Sequence, residues 1–516
     1  MALNLAPSVK RTALVNAIGY VIGVIVSFIQ APFLIHRLGD ERYGVWTLIG
    51  TVTGYYGLLD FGTRAAVGLL VARASARGEQ LKVAELTASA FWFLVVVGIG
   101  VLGIGSIVLW QFPNMFGIAE AFRSETRVAL AIALGLVVLT LPLDVWAAIV
   151  NGSRRGDILM GMDAVVRLLT FGIIVALFQR GARLDVLAAI QVVGKVIVWT
   201  ITYFAARRLE PAWRLSPRFW QPSRLREIMR YSFQSFIINV SGTIVEKLDA
   251  VVIATVLGAR MVTFYYVGQA LVAYSRQGVT SIVLAFTPFF AELHAKEETA
   301  RARRLYFAGT RIASIVSGLL AGGLIAFGRP FLVHWIGAWT VQGVWYNRSD
   351  TVLYIVLAAM LPRLIHGASH QYLYGSNRHA FLSRLTVVEG IANLTLSLIL
   401  VKPLGLAGIA LGTAIPSIVA QGWVLPRHVA LWMETTAWRL FVEGQLRGLL
   451  GGAVVVAVGM LVRTVMPVDT WPNFFGAVFV TLAVAAPLMW LVALAPDDRT
   501  MVRSVVGRLV PAWRPT

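Results

Sequence analysis

The chain reads as long apolar runs separated by short polar breaks. Fourteen runs reach about 20 residues or more, the length a helix needs to cross a hydrocarbon core of ~30 Å. They cover 12–34, 44–71, 84–110, 128–150, 158–179, 184–206, 231–257, 262–290, 308–328, 351–374, 380–401, 405–426, 447–466 and 473–495. The pattern predicts an all-α integral membrane protein with about 14 transmembrane helices. The first run follows only a short basic stub with Lys10 and Arg11, and no small-residue cleavage site lies behind it, so it is expected to be a retained span. No polar stretch is long enough for a soluble domain. The longest, 207–230, reads as a linker between two lobes.

Polar positions inside the runs repeat. At 100° per residue, Asn16, Tyr20, Gly23, Ser27 and Gln30 share one stripe of the first run. Ser235, Asn239, Gly242, Glu246 and Asp249 share one on the seventh, each 219 residues after its counterpart. Both stripes lead into a Leu-Gly pair, Leu38-Gly39 and Leu257-Gly258, at the same offset. The spacing predicts two pseudo-symmetric six-helix bundles, 1–215 and 216–435, followed by an extra two-helix segment with a basic cytoplasmic tail, 436–516. Repeated bundles with polar stripes are how secondary transporters build a midplane site.

Composition sharpens this picture. Hydrophobic residues make up 58% of the 516 and charged residues 14%, against roughly 45–50% and about 25% in soluble proteins. A water-soluble surface is therefore excluded, and so are disordered and collagen-like chains. The absence of cysteine removes disulfides, thiolate metal sites and a cysteine nucleophile. The net charge of +20 raises nucleic acid or anionic lipid as partners. With the N-terminus placed in the cytoplasm, Lys and Arg concentrate inside, mainly at Arg207, Arg208, Arg214, Arg218, Arg224, Arg226 and Arg230 and in 296–311. Both termini are then cytoplasmic, and anchoring beside anionic lipid accounts for most of the charge without nucleic acid.

An ionised side chain inside the bilayer costs several kcal/mol unless it faces a wet cavity or a partner. The intramembrane cations are Arg64, Arg167, Lys195, Lys247, Arg276 and Arg363. On the eighth run Tyr265, Gln269, Arg276, Thr280 and Thr287 share a face. On the tenth Arg363, His366, His370 and Tyr374 do so, with Pro362 expected to kink the helix just before the arginine. The sixth offers Gln191, Lys195, Trp199 and Thr202. One cation per helix inside a stripe of hydroxyls, amides and aromatics suits a ligand with anionic and polyhydroxylated parts.

Asp60 with Arg64, and Asp163 with Arg167, stand at i, i+4, where pairing along the helix competes with ligand contact. Arg276 and Arg363 have no acid at i±3 or i±4 and are expected to be uncompensated cations lining the cavity. Lys247 points away from its stripe and is expected to snorkel. His366 and His370 lack a third metal ligand, so polar packing beside Arg363 is expected, with no metal and no cofactor. The acids are Asp144, Asp163, Glu246, Asp249 and Glu389. Glu246 and Asp249 put two like charges on one face, open to proton exchange, a sodium ion or a pair with Arg276. With Glu389 they are the candidates for ion coupling.

In these residues the chain resembles the Wzx-type polysaccharide flippases of the multidrug, oligosaccharidyl-lipid and polysaccharide exporter superfamily. The resemblance covers most of the first twelve runs. It rests on Ala31-Pro32, on the stretch from Leu38-Gly39-Asp40-Glu41-Arg42-Tyr43-Gly44 to Val45-Trp46, on Leu58-Leu59-Asp60-Phe61-Gly62, and on Asp249 before Leu257-Gly258, with Tyr265 to Gly268 behind. Further on it rests on Gly390 to Asn393 and on Pro403-Leu404-Gly405-Leu406-Ala407-Gly408-Ile409-Ala410. It implies two bundles around a central cationic cavity plus two further helices. It also implies export of undecaprenyl-diphosphate-linked oligosaccharides across a bacterial inner membrane by alternating access, beside a polysaccharide polymerase and chain-length machinery. Related lipid II flippases place arginines on the second and eighth helices, which points to Arg64 and Arg276.

Three other functions compete. A cation-coupled drug exporter would favour acidic cavity residues, whereas here cations stand on several stripes. A polyprenyl-sugar glycosyltransferase or polymerase could use Asp40-Glu41 but would usually carry a large outside domain. A scaffold would leave the intramembrane charges unexplained. The expectation is a transporter, not an enzyme.

Overall fold

The computed structural model describes the backbone of residues 7–493 except 154, 182 and 377. Side chains are described for the same residues except 7–14, 16, 17, 20, 56, 57, 180, 233–246 and 379. Among the described residues there is no strand. Two compact units divide the chain, 1–263 and 264–516.

The first unit holds α1 (Pro7–Leu38), α2 (Asp40–Tyr56), α3 (Thr63–Ala76), α4 (Gln80–Met115), α5 (Glu120–Gly152), α6 (Gly156–Leu177), α7 (Leu184–Leu209) and α8 (Pro222–Val256). Leu70, Val83, Leu86, Leu141, Ile149 and Ile228 meet in its core. On α4, Val96, Ile99, Ile104, Ile107 and Trp110 are each more than 60% exposed. An apolar face laid open in this way needs lipid as its solvent, since helices close their own backbone hydrogen bonds there.

The predicted run 44–71 is broken. A 3-10 turn over Gly57–Asp60 leads to Phe61 and Gly62, both left-handed at φ 51° and 71°. Asp60 Oδ1 accepts from Gly62 N at 2.7 Å and fixes the break. The long polar stretch after α7 lies along α4. Trp92 Nε1 donates to Leu215 O at 2.8 Å, Thr87 Oγ1 to Arg214 O at 3.0 Å, and Gln221 N to Ser89 Oγ at 2.9 Å. Trp213 is buried under the Arg207 guanidinium, 4.8 Å from its ring.

The second unit follows from α9 (Ala259–Leu284), whose first turn belongs to the first. It comprises α10 (Thr287–Ala295), α11 (Thr299–Trp335), α12 (Ser349–Ile365), α13 (Gly367–Gly375), α14 (His379–Val419), α15 (Leu425–Trp432), α16 (Ala437–Leu440), α17 (Arg447–Val465) and α18 (Trp471–Val492). α12 and α13 form one helix bent by 43°. The expected kink site was Pro362, and the bend falls at His366, whose N–H reaches back to Pro362 O at 2.9 Å. α17 lies directly on α11: a Cβ at Gly318 would meet Gly448 O at 2.2 Å, and Ser314 Oγ donates to Gly444 O at 3.0 Å.

The helix α14 is two antiparallel arms. Gly405, at φ 50° and ψ −131°, interrupts it. Asn393 Nδ2 then reaches Thr413 Oγ1 at 2.7 Å, and a Cβ at Gly408 would meet Leu400 O at 2.1 Å. Asn347 Oδ1 accepts from Leu406 N at 3.1 Å and fills the space beside Gly405, 2.1 Å from where a Cβ would stand. Gly405→Ala is therefore expected to cost about 1–2 kcal/mol, since an L residue is strained there even before it displaces Asn347. Thermal unfolding of the purified chain measures it, and an unchanged midpoint would contradict the account.

Ten helices among the described residues are long and apolar enough to cross a membrane, or up to eleven with the bent α12–α13 pair. The chain is a multi-pass membrane protein.

Candidate functional site

In the first unit two of the intramembrane cations, Arg64 and Lys195, face one carboxylate, Asp144. Arg64 Nη1 stands 2.8 Å from Asp144 Oδ2, and Lys195 and Asp60 act on the same carboxylate electrostatically. The alternative pairing of Arg64 with Asp60 along a helix does not form. A left-handed break lies between them, and Asp60 is turned toward Gly62. Arg64 stays 57% exposed after pairing, so part of its guanidinium fork is open to a ligand. Along α7, Trp199 and Thr202 are buried, while Gln191 and Lys195 are half-buried.

The Asp163–Arg167 pair does form within α6, at 2.7 Å. Arg167 lies against Gly23 of the α1 stripe, whose Cβ would sit 3.8 Å from it. Ser27 and Gln30 on that stripe are half-buried. The side chains of Asn16, Tyr20, Ser235, Asn239 and Glu246 lie outside the described residues. Asp249 is buried. Lys247 does not snorkel: its ammonium lies against α2, 1.7 Å from where a Gly54 Cβ would be. A wheel gives the direction of a side chain but not the neighbour it meets, and here the neighbour is a glycine that leaves room for the lysine.

A network occupies the second unit. Arg363 is not an uncompensated cation. Its Nη2 lies 3.3 and 3.1 Å from the two oxygens of Glu389 on α14. Gln421 Nε2 donates to Glu389 Oε2 at 2.8 Å, and Gln421 Oε1 pairs with His370 Nε2 at 3.0 Å. His366, at the bend, pairs with Gln445 Nε2 at 3.2 Å and with Ser369 Oγ at 3.4 Å, which also meets Tyr306 OH at 2.7 Å. Both glutamines sit in π-helical turns, Ala420–Val424 and Phe441–Leu446. Such turns are frequent at functional sites because the wider ladder swings a side chain out of the ordinary helical register. His370 thus lies in polar packing that reaches Arg363 through Gln421 and Glu389, whereas His366 sits in a separate polar cluster with Gln445, Ser369 and Tyr306.

Arg276 on α9 is half-buried and engaged in contacts of its own, and Gln269 is half-buried on the same helix. Tyr265 of that stripe is buried. Thr287 falls after the break at Phe286, on α10, where it donates to Gln371 Oε1 at 2.6 Å, so the predicted face does not continue to it.

Each unit therefore sets arginine, carboxylate, amide and hydroxyl groups inside apolar helices. Residues 38–341 match the description of a known family, polysaccharide biosynthesis protein. The chain belongs to the polysaccharide biosynthesis protein family. It is 20% identical over 496 residues to the uncharacterized membrane protein EpsK of Bacillus subtilis strain 168, covering 94% of this chain and 96% of that one. It is also 20% identical over 510 residues to a Haloferax volcanii protein whose name reads probable low-salt glycan biosynthesis flippase Agl15, covering 97% and 99%. Its fold is similar to that of the lipid II flippase MurJ in an inward closed conformation. The TM-score is 0.67 at 10% identity, covering 93% of this chain and 98% of that one. The likeness shows the fold, and the sequence resemblance to polysaccharide flippases stands with it.

Proposed function

We propose that the chain is a flippase that carries undecaprenyl-diphosphate-linked oligosaccharide repeat units across a bacterial inner membrane by alternating access, for exopolysaccharide or O-antigen biosynthesis. The observation that carries the reading is a polar, arginine-bearing cluster inside the apolar helices of each unit in a member of a polysaccharide biosynthesis family. Forked guanidinium groups match diphosphate oxygens, and amides, hydroxyls and aromatic faces match sugars. In this reading Arg276, Arg64, Lys195 and Arg363 serve the diphosphate. Ser27, Gln30 and Gln269, with Asn16, Tyr20, Ser235 and Asn239, line the sugar path. Glu246, Asp249 and Glu389 are the candidates for ion coupling. Carriage makes and breaks no covalent bond, so the chain works as a transporter.

Fourteen crossings follow if α2–α3, α9–α10, α12–α13 and α16–α17 each make one, the two arms of α14 make two, and α8 makes one. Both termini are then cytoplasmic. Membrane lipids are the other partner, with a polymerase and chain-length machinery receiving the product. A drug exporter of the same superfamily would take cationic cargo, which the arginines disfavour.

The test is complementation of flippase-null strains that each make one defined repeat unit. One of these lipid-linked units is expected to be cleared from the cytoplasmic leaflet. In the complemented strain, Arg276→Ala is expected to lower export about tenfold, on the scale of one lost charge-assisted contact. Normal export at equal protein level would remove Arg276 from the site, and clearance of no unit by an inserted chain would overturn the flippase reading.

A further inference from the structure

Ser223, Arg226, Glu227, Arg230 and Tyr231, all on α8, line an open cup of about 660 Å³. Its acid is already spent. Glu227 pairs with Lys82 at 3.6 Å and with Arg224 at 3.2 Å, and Arg224 is held in turn by Glu85 at 2.8 Å. Arg226 and Arg230 are exposed and have no acidic partner among the described residues. Four residues apart, they stand on one helical face, where two like charges repel each other. A third arginine is fixed at the rim: Arg73 donates to Tyr231 OH at 2.9 Å, its guanidinium 5.5 Å from the ring.

The rule that places positive charge in the cytoplasm explains the sign of these residues. It does not explain why Arg224 and Lys82 are matched to acids while Arg226 and Arg230 are set together round a concave space. A doubly charged oxyanion relieves that repulsion, and arginine offers it a planar fork at each end. In the proposed topology the cup stands at the cytoplasmic end of α8, at the depth of lipid headgroups.

We propose that this cup is a docking site for a phosphate-bearing lipid headgroup, where the diphosphate of the carried lipid is first held. The identity of that lipid rests on the flippase reading. The same phosphate chemistry is available from anionic phospholipid, so both are tested.

The full chain is placed in phosphatidylcholine nanodiscs, and binding is measured separately for undecaprenyl diphosphate and for phosphatidylglycerol. The variants are the double substitution Arg226→Gln with Arg230→Gln and, as a charge control, Arg304→Gln at another exposed position. The double variant is expected to bind undecaprenyl diphosphate about fivefold more weakly or worse, with the control near the parent. The same loss for phosphatidylglycerol instead supports the cup with a membrane phospholipid as its ligand. Unchanged binding of both lipids, or an equal loss in Arg304→Gln, would overturn the proposal. The readout is binding, so a chain that complements no flippase-null strain yet keeps the arginine-dependent difference sinks the transport reading and leaves the site.

Discussion

Glu389→Ala is expected to destabilise the second unit by about 3–5 kcal/mol, the usual cost of removing one partner from a buried ion pair. Glu389 is 4% exposed at its side chain and Arg363 21%. The carboxylate takes both contacts from Arg363 Nη2 and one from Gln421. Its removal strands a guanidinium whose Nε already lacks a partner, and it frees the amide that orients His370. Glu389→Gln keeps one acceptor and is expected to lose less. Unfolding of each purified variant in lipid nanodiscs measures the effect, and an alanine variant that melts with the parent would show that the pair does not anchor the unit.

A second pair of substitutions separates stability from transport. Replacing a buried ion pair by apolar groups of similar size is often close to neutral. Arg363→Met with Glu389→Leu should therefore recover most of the stability that Glu389→Ala loses. If the recovered chain is well inserted and still exports nothing, the pair acts on cargo or coupling. If it exports normally, the pair is structural and Arg363 leaves the list of cavity cations.

The helices were legible because apolar runs of membrane length leave the backbone no other way to satisfy its hydrogen bonds. The Leu38-Gly39 and Leu257-Gly258 pairs, read only as matching offsets, prove to be turns in which the glycines take left-handed φ of 81° and 91°. The break after Tyr56 was not legible. It depends on Phe61, a residue that seldom adopts positive φ, and an apolar run continues straight through it in the sequence. The partners of the buried cations were hidden for a different reason. Neighbours at i±3 and i±4 test only a residue's own helix, whereas Glu389 lies 26 residues from Arg363 and Asp144 lies 80 from Arg64. Gln421 and Gln445 gave no signal at all, because the π turns that aim them at the histidines have no sequence signature comparable to a cap. Arg226 and Arg230 were visible only as charge, since the spending of Glu227 on Lys82 and Arg224 needs α4 in place.

Gly44→Leu is expected to cost about 3 kcal/mol or more, because there is no room for any side chain at that position. A Cβ there would stand 1.9 Å from Ala259 O. Asp40 and Gly44 begin α2, and Ala259 and Thr263, each 219 residues later, begin α9. Gly44 meets Ala259, and Thr263 Oγ1 donates to Asp40 O at 2.6 Å, so the fifth residue of each stretch touches the first of the other. Arg260 closes the contact on Asp40 Oδ2 at 2.5 Å. Gly50, six residues along the same helix, has nothing within 4 Å of its Cβ position. Gly44→Ala should therefore lower the unfolding midpoint through overpacking, by about 1–3 kcal/mol. Gly50→Ala should hold or raise it, since alanine is favoured over glycine in a helix by up to about 1 kcal/mol. Opposite signs from one chemical change on one helix isolate the contact from helix propensity. Equal shifts in the two variants would mean that the helix starts do not press together as described.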